Sequence, residues 1–241
     1  MKQIRAASDR GYQHHDWLET HYSFSFADYY DPAHMGVSIL RVINDDRIAP
    51  AGGFPTHPHQ DMEIVTYVLD GVLEHKDSMG NGSLIRPGDI QRMSAGTGVR
   101  HSEFNHSDQQ PVHLLQIWLL PNRKGVTPGY AQKHFPPSER RNLLQLLVSP
   151  DGSAGSISAH QDGLIYGTLL EPGKSVSHEL AAERIAYVHI ARGKAVINNE
   201  TLGDGDAITL SEEPQVKLTG VEESEILLFD LPQGPGGRQH R

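Results

Sequence analysis

Short runs of apolar and β-branched residues recur along the whole chain, each closed by a turn dipeptide. VSILRVIN (37–44), EIVTYVL (63–69), VLEHKD (72–77), DIQRMSA (89–95) and VHLLQIWLL (112–120) predict strands in the first half. LLQLLVS (143–149), LIYGTLL (164–170), RIAYVHIA (184–191), KAVIN (194–198), DAITL (206–210) and EILLFDL (225–231) predict strands in the second. Asp70-Gly71, Asn81-Gly82, Pro87-Gly88, Asp151-Gly152, Asp162-Gly163, Pro172-Gly173 and Arg192-Gly193 supply the turns. Helical periodicity is nearly absent. The pattern predicts an all-β chain built as sandwiches or barrels.

The two strand series are separated by PNRKGVTPGYAQKHFPPSERRN (121–142), which is polar, carries four prolines and has no sustained period. It reads as the connection between two β-domains, with a short helical turn around 137–142. The predicted units are residues 1–135 and 136–231. The tail 232–241 has almost nothing apolar to bury and is predicted disordered. A weak internal repeat supports two similar halves: Gly88 to Ser94 resembles Gly205 to Ser211, and each follows a strand ending in glycine, at Gly71 and Gly193.

Composition narrows the function classes. The 241 residues suffice for one large β-domain or two smaller ones, and 37% hydrophobic content is enough for packed cores. The formal net charge of −9 argues against a nucleic-acid footprint, which needs a clustered basic face. With no cysteine, disulfides, thiolate metal sites and cysteine nucleophiles are excluded. The N-terminus has no apolar signal region and no run of about 18 apolar residues occurs, so the expectation is a cytoplasmic protein without a membrane span.

The candidate chemistry lies in GGFPTHPHQDME (52–63) and GVRHSEFN (98–105). Residues two apart on a strand share a face, so His57 can converge with His59, and His101 with Glu103. If the two strands are neighbours, three imidazoles and one carboxylate meet. That set suits a borderline divalent ion such as Fe(II), Cu(II), Ni(II) or Zn(II) better than Ca(II) or Mg(II), and it leaves positions open on the far side. Glu63 also falls on an odd number and parity alone leaves it in play. The other histidines read as surface or hydrogen-bonded core residues. His14, His15, His21 and His34 lie in a polar, aromatic-rich segment. His75, His106, His113, His134, His160, His178, His189 and His240 lack a same-face partner of ligand type. Phe24, Phe26, Met35 and Met93 read as ordinary core rather than cavity wall.

These stretches resemble the two motifs of the cupin superfamily: Gly52, His57, His59, Glu63 and Gly71, then Gly88, Gly96, His101 and Asn105, with Ser94 where cupins carry proline. The departures in spacing, together with FSFADYYDPAHMGVSILRVINDDRI (24–48), THPHQDMEIVTYVLDGVLEHKDSMGN (56–81) and MSAGTGVRHSEFN (93–105), resemble pirins, and bacterial pirins in particular. The resemblance implies a bicupin of two double-stranded β-helix barrels with one metal, in the first barrel. It implies His57, His59, His101 and Glu103 as the metal ligands and leaves Glu63 as a supporting or strand-end residue. In the second half, Glu179 and Ala181 stand where the first His-x-His pair would map, so no second metal is expected.

The resemblance further implies a quercetin 2,3-dioxygenase-like oxidoreductase acting on a flavonol and dioxygen. Fe(II) is the first expectation for the metal, with Cu, Ni, Zn and Co as alternatives. Glu103 is the candidate for taking the substrate's hydroxyl proton, and Glu63 is the alternative base. A second reading is an iron-dependent redox-sensing or regulatory protein that acts by binding a partner protein. A third, a metal-dependent sugar isomerase or epimerase, shares only the cupin motifs. With two fused barrels the chain is expected to be a monomer.

Overall fold

The computed structural model describes residues 1–233; the predicted tail from 234 onward lies outside them. Within the described residues the chain is almost entirely β, and the only α-helix is the single turn Pro137–Arg140. Two barrels are present, each a seven-stranded sheet facing a four-stranded one. The first large sheet runs, edge to edge, Gly129–His134, Asp89–Ser94, Glu63–Asp70, Val112–Leu119, Leu40–Ile48, Leu18–Tyr22, Gly11–His15. The smaller sheet facing it runs Gly53–His59, Val99–Asn105, Leu73–Asp77, Gly82–Ile85.

The second barrel repeats this order with Lys2–Arg5, Ala207–Ser211, Arg184–Arg192, Ser224–Pro232, Leu164–Leu170, Gln145–Ser149 and Ile157–Ser158. Its smaller sheet runs Ser175–Glu179, Gln215–Gly220, Ala195–Ile197, Glu200–Leu202. The strands Asp89–Ser94 and Ala207–Ser211, which carry the weak sequence repeat, hold equivalent places beside each barrel's outermost strand.

Each outermost strand comes from outside its own series. Gly129–His134, in the segment read as a connection, pairs with Asp89–Ser94. Lys2–Arg5, within the predicted unit 1–135, pairs with Ala207–Ser211 of the second barrel. At the other end the last strand continues to Pro232, and the Gln233 N–H donates to the Glu183 carbonyl.

The two large sheets pack back to back. Alternation along their central strands divides the apolar residues between this interface and the barrel interiors. Val65, Tyr67, Leu115 and Ile117 join Tyr187, Leu227, Phe229 and Leu231 in one shared core. Residues of opposite parity in the second half, such as Val188, Ile208, Ile226 and Leu228, fill the second barrel together with Val216 and Leu218. Strands buried on both faces therefore read as the continuous apolar runs seen in the sequence. Polar groups also cross between the barrels: the Tyr67 hydroxyl is bonded to Glu225, Arg140 approaches the same carboxylate at 3.2 Å, and Arg92 Nε donates to the Ser158 carbonyl at 2.9 Å.

Candidate metal centre

The strand Gly53–His59 pairs antiparallel with Val99–Asn105, with His101 opposite His57 and Val99 opposite His59. This register brings the two one-apart pairs together. The close approach is secured by Gly53, where any Cβ would lie 2.4 Å from the Glu103 carbonyl oxygen. A bulge between His101 and Glu103 then re-aims the strand.

His101 Nε2 lies 3.0 Å from His57 Nε2 and 2.9 Å from His59 Nε2. Two supports aim these nitrogens. The His57 Nδ1–H donates to the Pro55 carbonyl at 2.8 Å, which leaves Nε2 as the lone-pair atom. Behind His101 stands His75, fully buried, with the two Nδ1 atoms 3.5 Å apart and His75 Nε2 3.1 Å from Asp77 Oδ2. Burial alone would raise the Asp77 carboxyl; hydrogen bonds from Asn81 and His75 outweigh it and leave it lowered.

Glu103 is 4% exposed and spans the barrel to the large sheet. Its Oε2 accepts from Gln116 Nε2 at 2.8 Å, and its Oε1 from the Thr66 hydroxyl at 3.4 Å. Among the described residues two groups of donors gather here: His57, His59 and His101, and His75, His101 and Glu103, with the donor atoms of each group within 4.8 Å of one another. His75 thus has ligand-type partners, contrary to the sequence expectation. Asp77 lies two residues along its own strand, and His101 and Glu103 come from the neighbouring strand, where Glu103 is its register partner.

The donor set fits a divalent transition metal. Burial, followed by the mutual repulsion of the three rings, pulls His59 down to about 4. Burial and then His57 and His75 pull His101 down to about 3. Neutral imidazoles facing each other through Nε2 cannot all donate, whereas a shared cation takes all three lone pairs at once. Glu63 lies apart from both groups. It accepts from the Ser94 hydroxyl at 2.8 Å at the start of its strand, and burial raises its carboxyl.

The histidines form one wall of a cavity of about 190 Å³. Phe26, Phe54, Ile64 and Trp118 make its apolar sides, and Asn44, Asp46, Glu103 and Gln116 its polar part. Of the four residues read as ordinary core, Phe26 faces this cavity. Phe24 and Met93 are buried in separate apolar clusters, and Met35 is 43% exposed. Sequence reasoning missed Asn44, Asp46, Phe54, Gln116 and Trp118. A signal existed: Thr66 and Gln116 each interrupt an apolar run at an inward-facing position, and Asn44 closes one.

Fold and site together define a bicupin whose first barrel holds a histidine–carboxylate metal group. Residues 3–119 match the family model for pirin, and residues 146–231 that for the quercetinase C-terminal cupin domain. The chain is 45% identical over 232 residues to the quercetin 2,3-dioxygenase of Escherichia coli K12, covering 96% of this chain and 99% of that protein. It superposes on the crystal structure of the E. coli bacterial pirin YhhW in complex with nickel(II) with a TM-score of 0.93 and 44% identity, covering 97% of this chain and 100% of that one. A quercetin 2,3-dioxygenase from Acinetobacter baumannii, 22% identical, shares the fold with a TM-score of 0.72 over 93% of this chain and 85% of that one. The chain belongs to the pirin family. No helix among the described residues is long and apolar enough to cross a membrane.

Proposed function

We propose that this protein is an oxidoreductase that opens flavonols such as quercetin with dioxygen, at one metal ion held by His57, His59, His101 and Glu103. The observation that carries this reading is that His101 Nε2 lies within 3.0 Å of both His57 Nε2 and His59 Nε2 on the wall of an aromatic-lined cavity. The names of the E. coli relatives support both the substrate class and a divalent metal. In the reaction the substrate would gain both oxygen atoms and release one ring carbon as carbon monoxide.

When bound, the metal supplies a positive charge that stabilises the flavonol's deprotonated 3-hydroxyl and brings dioxygen beside the ring. The chain's own residues do the rest. Phe26, Phe54 and Trp118 hold the planar rings and exclude water. At about 190 Å³ the cavity is below the roughly 300–1,000 Å³ of sites that enclose a drug-sized ligand, so part of a flavonol stays at the mouth. Glu103 receives the hydroxyl proton at Oε1, the oxygen with the long 3.4 Å contact to Thr66, while Gln116 keeps Oε2 in place.

The test is anaerobic metal analysis followed by oxygen uptake with quercetin, on wild type and His59→Ala. One metal per chain, with metal-dependent uptake and carbon monoxide release lost in His59→Ala, is the expected result. A tightly held metal with no oxygen uptake would overturn the dioxygenase reading and leave the metal site standing.

A further inference from the structure

The interior of the first barrel carries polar side chains where the second barrel is filled by apolar ones. Thr66, Gln116 and Asn44 form one rung across three adjacent strands: Thr66 is opposite Gln116, and Gln116 is opposite Asn44. Thr66 and Gln116 are both engaged by Glu103. Asn44 is not. It is 5% exposed and lines the cavity, yet its Oδ1 is buried and has no hydrogen-bond partner. Asp46, two residues along on the same face, also lines the cavity and is 2% exposed. Burial pushes its carboxyl up to about 7. Neither residue belongs to the groups that could hold the metal. A buried acceptor left unpaired beside a cavity is costly unless a group entering that cavity donates to it.

We propose that Asn44 and Asp46 form a second recognition point in the cavity, accepting hydrogen bonds from a ring hydroxyl of the aromatic substrate. The inference rests on the flavonol reading and sharpens it. The substrate class becomes a planar aromatic with at least two separated hydroxyls, one for the metal and one for this pair. A site built to bond a hydroxyl rejects an analogue that lacks it, because its own buried polar groups are then left unpaired. Asn44 and Asp46 are thereby specificity residues, while the histidines and Glu103 serve any molecule that presents the metal-binding oxygens.

The test is an anaerobic titration of the nickel-loaded full chain with quercetin and with 3-hydroxyflavone. The second compound keeps the metal-binding oxygens and lacks the other ring hydroxyls. Each is followed by the absorbance shift of the bound flavonol. Wild type is expected to bind quercetin roughly tenfold or more tighter than 3-hydroxyflavone. In Asn44→Leu the ratio of the two dissociation constants falls towards about one, with nickel content retained. A wild-type ratio near one overturns the inference without any variant. A ratio preserved in a folded, nickel-loaded Asn44→Leu overturns it while the flavonol reading stands. If neither flavonol binds wild type, both fall.

Discussion

The spacing of the imidazole nitrogens leads to a prediction about which metals the site favours. His101 Nε2 is 3.0 Å from His57 Nε2 and 2.9 Å from His59 Nε2. With metal–nitrogen bonds of about 2.1 Å, such separations subtend an angle of about 90° at the ion. A tetrahedral angle at the same bond length requires about 3.4 Å, so each pair would have to open by about 0.4–0.5 Å. Little there can give. The two strands pair directly, His57 is tied to the Pro55 carbonyl, and His101 is backed by fully buried His75. The site should therefore prefer ions that accept right-angled, six-coordinate surroundings over zinc, whose structural preference is tetrahedral. The perturbation is metal exchange: strip the protein with a chelator, reload with Co(II), and record the visible spectrum. Weak bands of the six-coordinate type are expected. In competition, nickel should outcompete zinc by about tenfold or more, a difference of about 1.4 kcal/mol. An intense spectrum of the tetrahedral type, or zinc bound as tightly as nickel, would refute the reasoning.

Three further outcomes follow from named contacts. His75→Phe keeps the ring packed but removes the support behind His101, so metal affinity should fall about 10–100-fold, read by competition with a chromophoric chelator; an unchanged affinity would separate His75 from the site. Glu103→Gln should weaken metal binding, whereas Glu63→Gln should leave it intact, because Glu63 bonds Ser94 away from the cluster; metal loss only in Glu63→Gln would reverse the ligand assignment. His189 is fully buried with both ring nitrogens unpartnered, and burial pulls it down to about 4 from 6.5. Its folded value lies below the unfolded one, so the stability linked to it is present above about pH 6.5 and is lost as pH falls towards 4, by about 3 kcal/mol in all. His189→Leu should flatten the acid side of the Tm-against-pH curve, and an unchanged slope would count against that assignment.

Much of this architecture was legible in the sequence because its signals are local. EIVTYVL predicted residues 63–69 and the strand is Glu63–Asp70; VLEHKD predicted 72–77 and the strand is Leu73–Asp77. The His-x-His and His-x-Glu spacings brought out the site because strand alternation needs no tertiary information. What was not legible depends on partners distant in the chain. The four residues Lys2–Arg5 carry no strand signal of their own and are extended because Ala207–Ser211 offers an open edge. VSILRVIN predicted a strand at 37–44, but the strand is Leu40–Ile48. It runs on through Asp45 and Asp46, where a buried carboxylate argues locally for a strand end. Asp45 is tolerated because His113 bonds it at 2.6 Å and Arg10 at 3.2 Å, and Asp46 because it faces the cavity.

The contrast between the barrels explains why only one can hold this site. Their strand orders match place for place, so Ser175–Glu179 stands where Gly53–His59 does, and Gln215–Gly220 where Val99–Asn105 does. In the first barrel the paired residues are His57 and His101; in the second, His178 is paired with Val216. His178 instead bonds Asp230 at 2.7 Å, beside Arg184 on the same carboxylate. Val216 and Leu218, at none of which a metal could be held, complete an interior that is apolar throughout its cluster. A solid second barrel presents a rigid apolar back to the first, and Val65, Tyr67, Leu115 and Ile117 pack against it. On the inner face of the first large sheet Ile48, Val68, Val112 and Leu114 still pack with Leu73 and Ile85, so the polar residues take only part of that face. Thr66, Gln116, Asn44 and Asp46 share that face, and burying them carries a stability cost that an apolar face would not. The second barrel packs behind the first through the shared core and contributes no residue to the cavity.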